Sequence, residues 1–298
     1  MHIMLLVFAW ISAVVFLSTS WISCAVVSNF SIPLEYTMFY RLMIASIVTL
    51  ALIPIFNQRV KIMKTEILAS VLVAGSQLNV WLASYASKYL ISGLIPCVML
   101  MQIFVAEIMG ACVEKRKLNK KIILSGVIGA VGIFMLCNQQ LNGVGDVDVK
   151  KTLIGIFFSF IATFAAAFGN IVYEKSGKSL RNMPKLTFVL YNFIFSGIFF
   201  LLLGLILRPV SGLVSADLFN VKYMANLVFL AITASLLALL GVYYIIAKQG
   251  AIKCTYINFI MPILAMVIST VMEGFVWNAV AVLGMLTLMF SVWFGMRS

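Results

Sequence analysis

The 298-residue chain contains a single histidine, His2, and nine acidic residues. One histidine at the edge of the first apolar run excludes His-based zinc sites and Ser-His or Cys-His pairs inside a membrane. No aspartate falls within an apolar run, which excludes an intramembrane aspartyl dyad. The sequence also lacks H-E-x-x-H, G-x-S-x-G and any glycine-rich phosphate loop. Five cysteines, Cys24, Cys97, Cys112, Cys137 and Cys254, are scattered without a C-x-x-C pair. They read as small hydrophobes rather than disulfide partners or metal ligands. No enzyme chemistry and no cofactor is expected. A channel would show a repeated filter segment or a charged ring, and neither is present.

What is abundant is apolar. Hydrophobic residues make up 63% of the chain, charged residues 10%, and the mean hydropathy is +1.13, a composition suited to hydrocarbon as solvent. Crossing about 30 Å of bilayer core takes roughly 20 helical residues. Ten runs meet or approach that length: Met4 to Val27, Tyr36 to Phe56, Ile67 to Ser84, Ile91 to Val113, Ile122 to Cys137, Leu153 to Val172, Leu186 to Leu207, Ala225 to Ala247, Thr255 to Met272 and Val276 to Gly295. Continuous rather than alternating apolarity makes them helices, so an all-α integral membrane fold is expected. The first run lacks a basic flank and is too long for a signal-peptide core, so it reads as a retained span.

Charge sets the orientation. With the N-terminus inside, 15 of the 21 lysines and arginines fall in inner loops. These are Arg59, Lys61, Lys64, Lys115, Arg116, Lys117, Lys120, Lys121, Lys175, Lys178, Arg181, Lys185, Lys248, Lys253 and Arg297. The positive-inside rule therefore places both termini in the cytoplasm of a multi-pass inner (plasma) membrane protein. Inner loops facing anionic lipid account for the net charge of +12 without invoking nucleic acid as a partner.

The loop Asn138 to Lys151 divides the runs into five and five, giving units 1–143 and 152–298. An odd number of spans per unit inverts the second relative to the first. A shift of 161 residues sets Ala86 on Ala247, and acidic residues close the fourth and ninth runs, Glu114 and Glu273. Inverted repeats suit alternating-access carriers, whose two faces are near mirror states of one structure.

The segments "YRLMIA" (Tyr40 to Ala45), "ASKYLISGLIP" (Ala86 to Pro96), "EKRKL" (Glu114 to Leu118), "SGVIGAVGIFML" (Ser125 to Leu136) and "AKQGAIKCTYINFIMPILA" (Ala247 to Ala265) resemble the drug/metabolite transporter superfamily, specifically its EamA-like ten-helix members. The resemblance implies ten helices in two inverted five-helix repeats and a transport function. Departures from the family pattern are Pro96 in place of a proline near Met101, and Val113-Glu114 and Met272-Glu273 in place of a Gly-Glu pair.

Polar side chains inside spans must face a cavity or another helix. Candidate substrate-binding residues on such stripes are Gln77 and Trp81 in the third span, Asn170 and Tyr173 in the sixth, Tyr244 in the eighth and Asn258 in the ninth. Glu107 is the one acid well inside a span, roughly 24 Å from its outer end. It is a structural partner for an inner base such as Lys248, a proton-coupling group, or a counter-ion to a cationic substrate. On a helical projection it shares a stripe with Gly93, Pro96, Leu100, Ile103 and Gly110, which suggests a helix bent toward a polar interior. Arg41, nearer the outer end of its span, reads as an anchor reaching the interface along its own stem.

The sequence reading is thus a secondary transporter moving a small organic metabolite, amino acid or nucleoside-like, by alternating access. Its partners are that small-molecule substrate and the lipid bilayer, with protons as a candidate coupling ion. The alternatives are a transporter of a cationic metabolite such as S-adenosylmethionine, and, in another class, a lipid or headgroup flippase or a non-transporting membrane subunit.

Overall fold

The structure, a computed structural model, describes residues 2–56, 77–115, 117–143, 149–175, 184–250 and 257–296. Residues 67–76 of the third expected span, the start of the ninth, the dividing-loop residues Gly145, Asp146 and Asp148, and the inner-loop bases Arg59, Lys61, Lys64, Arg116, Lys178, Arg181, Lys253 and Arg297 lie outside the described residues, as does Cys254.

The described chain is helical, as continuous apolar runs require. Its helices are α1 (His2–Ser28), α2 (Leu34–Ile55), α3 (Leu78–Ala86), α4 (Leu94–Met99), α5 (Gln102–Glu114), α6 (Lys120–Gly143), α7 (Val149–Lys175), α8 (Lys185–Leu207), α9 (Val221–Phe229), α10 (Ala238–Gln249), α11 (Ile257–Glu273) and α12 (Ala279–Met296). A π-helical segment, Leu230–Leu237, joins α9 to α10 in one continuous span. Pro33 and Pro184 stand immediately before α2 and α8, where the missing N–H costs no helix bond.

Among the described residues, seven helices are long and apolar enough to cross a membrane: Leu6–Ser28, Leu34–Ile55, Leu94–Glu114, Lys120–Asn138, Val149–Val172, Lys185–Leu207 and Val221–Gln249. Ile257–Glu273 and Ala279–Gly295 are shorter apolar helices at the ninth and tenth expected positions, and α3 is the end of the third. The chain is a multi-pass, all-α membrane protein. Large apolar side chains stand outward, among them Phe134, Phe157, Ile206 and Val271, a surface that suits lipid and not water.

The fifth helix is longer than its apolar run. It continues from Cys137 to Gly143, because Asn138 to Asn142 include good helix formers that extend the hydrogen-bond ladder after the hydropathy falls. The α-helical ladder of the fourth span is interrupted at Leu100 and Met101, not at Pro96. That proline occupies the first turn of α4, and the ladder tightens later, where Met101 N–H donates to the Val98 carbonyl at 3.1 Å and Phe104 N–H to Met101 at 3.0 Å.

Four packing relations build the bundle: α1 lies against α10 and α11, α7 against α3, α4 and α5, α2 against α8, and α6 against α12. The last pair crosses at glycines. A Cβ on Gly132 would stand 2.7 Å from the Leu288 nitrogen, and one on Gly284 2.9 Å from the Gly132 carbonyl oxygen. Only a side-chain-free backbone permits that approach.

Candidate functional site

Polar side chains from spans that are far apart in sequence meet in one cavity of about 140 Å³. From α1 come Ser20, Trp21 and Cys24; from α2, Arg41; from the third span, Gln77, Asn79 and Val80; from α5, Gln102; from α7, Ala166 and Asn170. The π segment and α10 add Ala234, Ser235, Leu239, Val242 and Tyr243, and α11 adds Ile257 and Asn258. Every one of these residues is buried or half-buried, so the cavity belongs to the interior of the bundle rather than to its lipid-exposed surface.

Hydrogen bonds tie the amides of the lining together. Asn258 Nδ2 donates to Gln102 Oε1 at 3.2 Å, joining α11 to α5, and Gln77 Nε2 donates to Asn192 Oδ1 at 3.1 Å, joining the third span to α8. Arg41 is 4% exposed. Its Nε donates to Ser235 Oγ at 2.8 Å, and its Nη1 reaches Cys24 Sγ at 3.8 Å. The interface anchor expected from the sequence is therefore not what Arg41 forms. It lies about 10 Å along its helix from Leu34, too deep for its head to be in water, and it turns into the cavity.

Of the sequence candidates, Gln77, Asn170 and Asn258 line the cavity, whereas Trp81, Tyr244 and Glu107 do not. Trp81 packs edge-on to Tyr85 and against Phe200. Tyr243 and Tyr244 both pack in the apolar cluster around α1, α2 and α8, and of the two it is Tyr243 that lines the cavity. Glu107 follows Gln102 by five residues, about 140° around a helix. With Gln102 inward, Glu107 points elsewhere. The expected stripe from Gly93 to Gly110 runs across the interruption of the helix at Leu100 and Met101. The side chain of Tyr173 lies outside the described residues.

Asn79, Gln102, Ser235 and Tyr243 were not singled out as site residues by the sequence. Only the amides carried a signal there, as uncommon polar groups inside apolar runs. Among the described residues no group of acids, cysteines or histidines could hold a metal ion. Cys24, Cys97, Cys112 and Cys137 are free thiols.

One end of the bundle is held by side-chain ties. Glu35, fully buried, accepts from Tyr85 Oη at 2.8 Å and pairs with Arg208 at 3.4 Å, linking α2, α3 and the end of α8. Those bonds to Glu35 push the Arg208 guanidinium above its ordinary pKa. Nearby, burial followed by the Arg208 charge pushes Lys88 down. Glu273 Oε2 accepts from Ser92 N–H at 3.0 Å and Ser92 Oγ at 2.7 Å, and Gly93 N–H donates to Ser269 Oγ at 2.7 Å, closing α11 onto the start of α4. Asp217 Oδ2 accepts from Ser31 N–H at 2.8 Å and Ser31 Oγ at 2.6 Å. These bonds hold the Asp217 carboxyl below its usual range.

Comparison with known proteins follows the same lines. The model of the EamA-like transporter family matches residues 153–296. A curated relative, an uncharacterized transporter in the trpA 3' region of Buchnera aphidicola subsp. Schlechtendalia chinensis, is 27% identical over 160 residues, which is 54% of this chain and 49% of the relative. The chain thus aligns with about half the length of that protein. A crystal structure of a protein superposes with a TM-score of 0.67 at 13% identity, covering 97% of this chain and 95% of the other. That likeness concerns the fold, and it extends to nearly the whole chain.

Proposed function

With an EamA-like transporter domain in residues 153–296 as the premise, we propose that the chain is a secondary transporter moving a small organic metabolite across the inner membrane by alternating access. The observation that carries this reading is the central cavity, where side chains from seven apolar spans present amides, hydroxyls and one guanidinium in an otherwise apolar bundle. Polar groups at that depth are costly in a protein that only packs helices, and a few convergent polar groups in an apolar recess are the usual makeup of a small-molecule site.

The reading takes units 1–143 and 152–298 as inverted five-helix repeats. Supporting it, the packing relations keep their form when each span is exchanged for the one five positions later: α1 against α10 and α11 becomes α7 against α3 and α5. The pairs α2 with α8 and α6 with α12 map onto themselves. In the orientation read from the basic loops, the end tied by Glu35, Arg208 and Glu273 is the outer one, and these ties support reading this arrangement as outward-closed. Gln77, Asn170 and Asn258 are assigned to substrate, together with Arg41, Asn79, Gln102 and Tyr243. A lipid flippase is disfavoured by a lining that has no lipid-exposed member. A cationic substrate is disfavoured because the one charge on the cavity lining, among the described residues, is positive.

Binding tests the assignment. A metabolite that occupies the cavity raises the apparent Tm of the purified protein by mass action. Asn170→Ala should keep the unliganded Tm within a few degrees while weakening that ligand by about 1 to 3 kcal/mol. An unchanged affinity would take Asn170 out of the site.

A further inference from the structure

Among the described residues the cavity holds a cation and no anion. Of its lining residues Arg41 alone carries a formal charge, and it bonds a hydroxyl and a thiol, Ser235 and Cys24. A guanidinium presents a planar fork of five donors that matches a carboxylate bidentately. Here Nε is committed to Ser235 and Nη1 to a weak sulfur acceptor, and among the described residues no carboxylate pairs with the remainder. Glu35, on the same helix, is six residues away, about 120° around the axis, and is held by Tyr85 and Arg208. A second donor on the lining is also without an acceptor: Trp21 Nε1 is buried with no hydrogen-bond partner. The cavity therefore carries a surplus of donors and a buried positive charge, and both are costly unless something acceptor-rich occupies it.

A packing role for this charge is contradicted by the other half of the molecule. Tyr40-Arg41 in α2 has its counterpart in Tyr191-Asn192 in α8, the helix α2 packs against. The partners are matched too. Arg41 bonds Ser235 of the eighth span, and Asn192 bonds Gln77 of the third. The same bundle position is filled once by a neutral amide, so helix packing there does not demand a cation.

We propose that the transported solute carries one carboxylate and that Arg41 seats it, with the amides of Gln102, Asn170 and Asn258 left to orient the rest of the molecule. A single cation and a cavity of about 140 Å³ suit a compact monoanionic or zwitterionic solute rather than a polyphosphate. The proposal rests on the solute-carrier reading above.

The test uses the purified full-length protein and matched probes: L-leucine, L-phenylalanine and L-glutamine, the carboxamide of each, and the uncharged nucleosides adenosine and uridine. The expected result is that at least one amino acid raises the Tm while its carboxamide needs about tenfold or more concentration for the same shift. Arg41→Gln should abolish that preference, and Arg41→Lys should retain it at reduced affinity. Ser235→Asp, which sets an internal carboxylate against Nε, should abolish the response to amino acids and so serves if Arg41→Gln does not fold. Stabilisation of the wild type by nucleosides but not by carboxylates would overturn the proposal and leave the solute carrier standing. Silence from every probe would count against both. A carboxylate preference undiminished in Arg41→Gln or Ser235→Asp would remove Arg41 as the seat.

Discussion

At the scale of single residues, the site divides into groups the sequence marks and groups it hides. Gln77, Asn170 and Asn258 are uncommon polar residues inside apolar runs, and the cost of burying an amide in lipid is enough to single them out. Arg41 is equally uncommon, yet depth counted from the end of a span cannot say whether a long side chain turns outward or inward. Its direction is set by Ser235, 194 positions away. Glu107 misleads for the opposite reason, since depth alone recommends it while the helical phase fixed by Gln102 turns it from the cavity. Outside the membrane, the clearest single-residue consequence is at Asp217. Its carboxyl is held below the ordinary 3.8 by bonds from Ser31. A depressed folded pKa gives stability that is present above the unfolded value and lost as pH falls through the folded one. Tm measured downward from pH 5 should therefore fall less steeply in Asp217→Asn than in the wild type. Superimposable profiles would show that the Ser31 contact contributes nothing to stability.

Elements were legible where hydropathy is long and uninterrupted, as in α1, α2, α7 and α8, whose positions follow the apolar runs within a few residues. They were less so where local backbone departs from a regular α-helix. Nothing in the run from Ala225 to Ala247 announces the π segment Leu230–Leu237. The interruption of the fourth span at Leu100 and Met101 is equally unannounced, since it does not fall at Pro96. Glycines carry a clearer element-level message. The crossing of α6 and α12 leaves no room at Gly132, where a Cβ would meet backbone atoms at 2.7 and 2.8 Å. Gly132→Leu should lower the Tm by on the order of 10 °C, since forcing a side chain into a filled contact costs about 1 to 3 kcal/mol or more. Neither α6 nor α12 contributes to the cavity lining, so the folded fraction should bind ligand with wild-type affinity. A variant of normal stability would mean that the two helices do not cross closely in the membrane.

For the whole molecule, the proposed two-unit organisation would link the fold to its use. Residues between Leu17 and Gln102 meet residues between Ala166 and Asn258 around the cavity, so neither proposed unit encloses it alone. Rocking one unit against the other would then open the cavity to one face while closing it to the other. One end is tied by Glu35 with Arg208 and by Ser92 with Glu273, and on the proposed reading these ties hold that end closed. The measurement that bears most directly on this account is the accessibility of one cavity position from both sides of the membrane. A single cysteine at Asn170, in a background freed of the native thiols, would be exposed to a membrane-impermeant thiol reagent in sealed vesicles of known orientation. Alternating access predicts labelling from the outer face and, separately, from the cytoplasmic face, with both rates changed by a stabilising ligand. Labelling from one face only, or from neither, would contradict a carrier that works through this cavity.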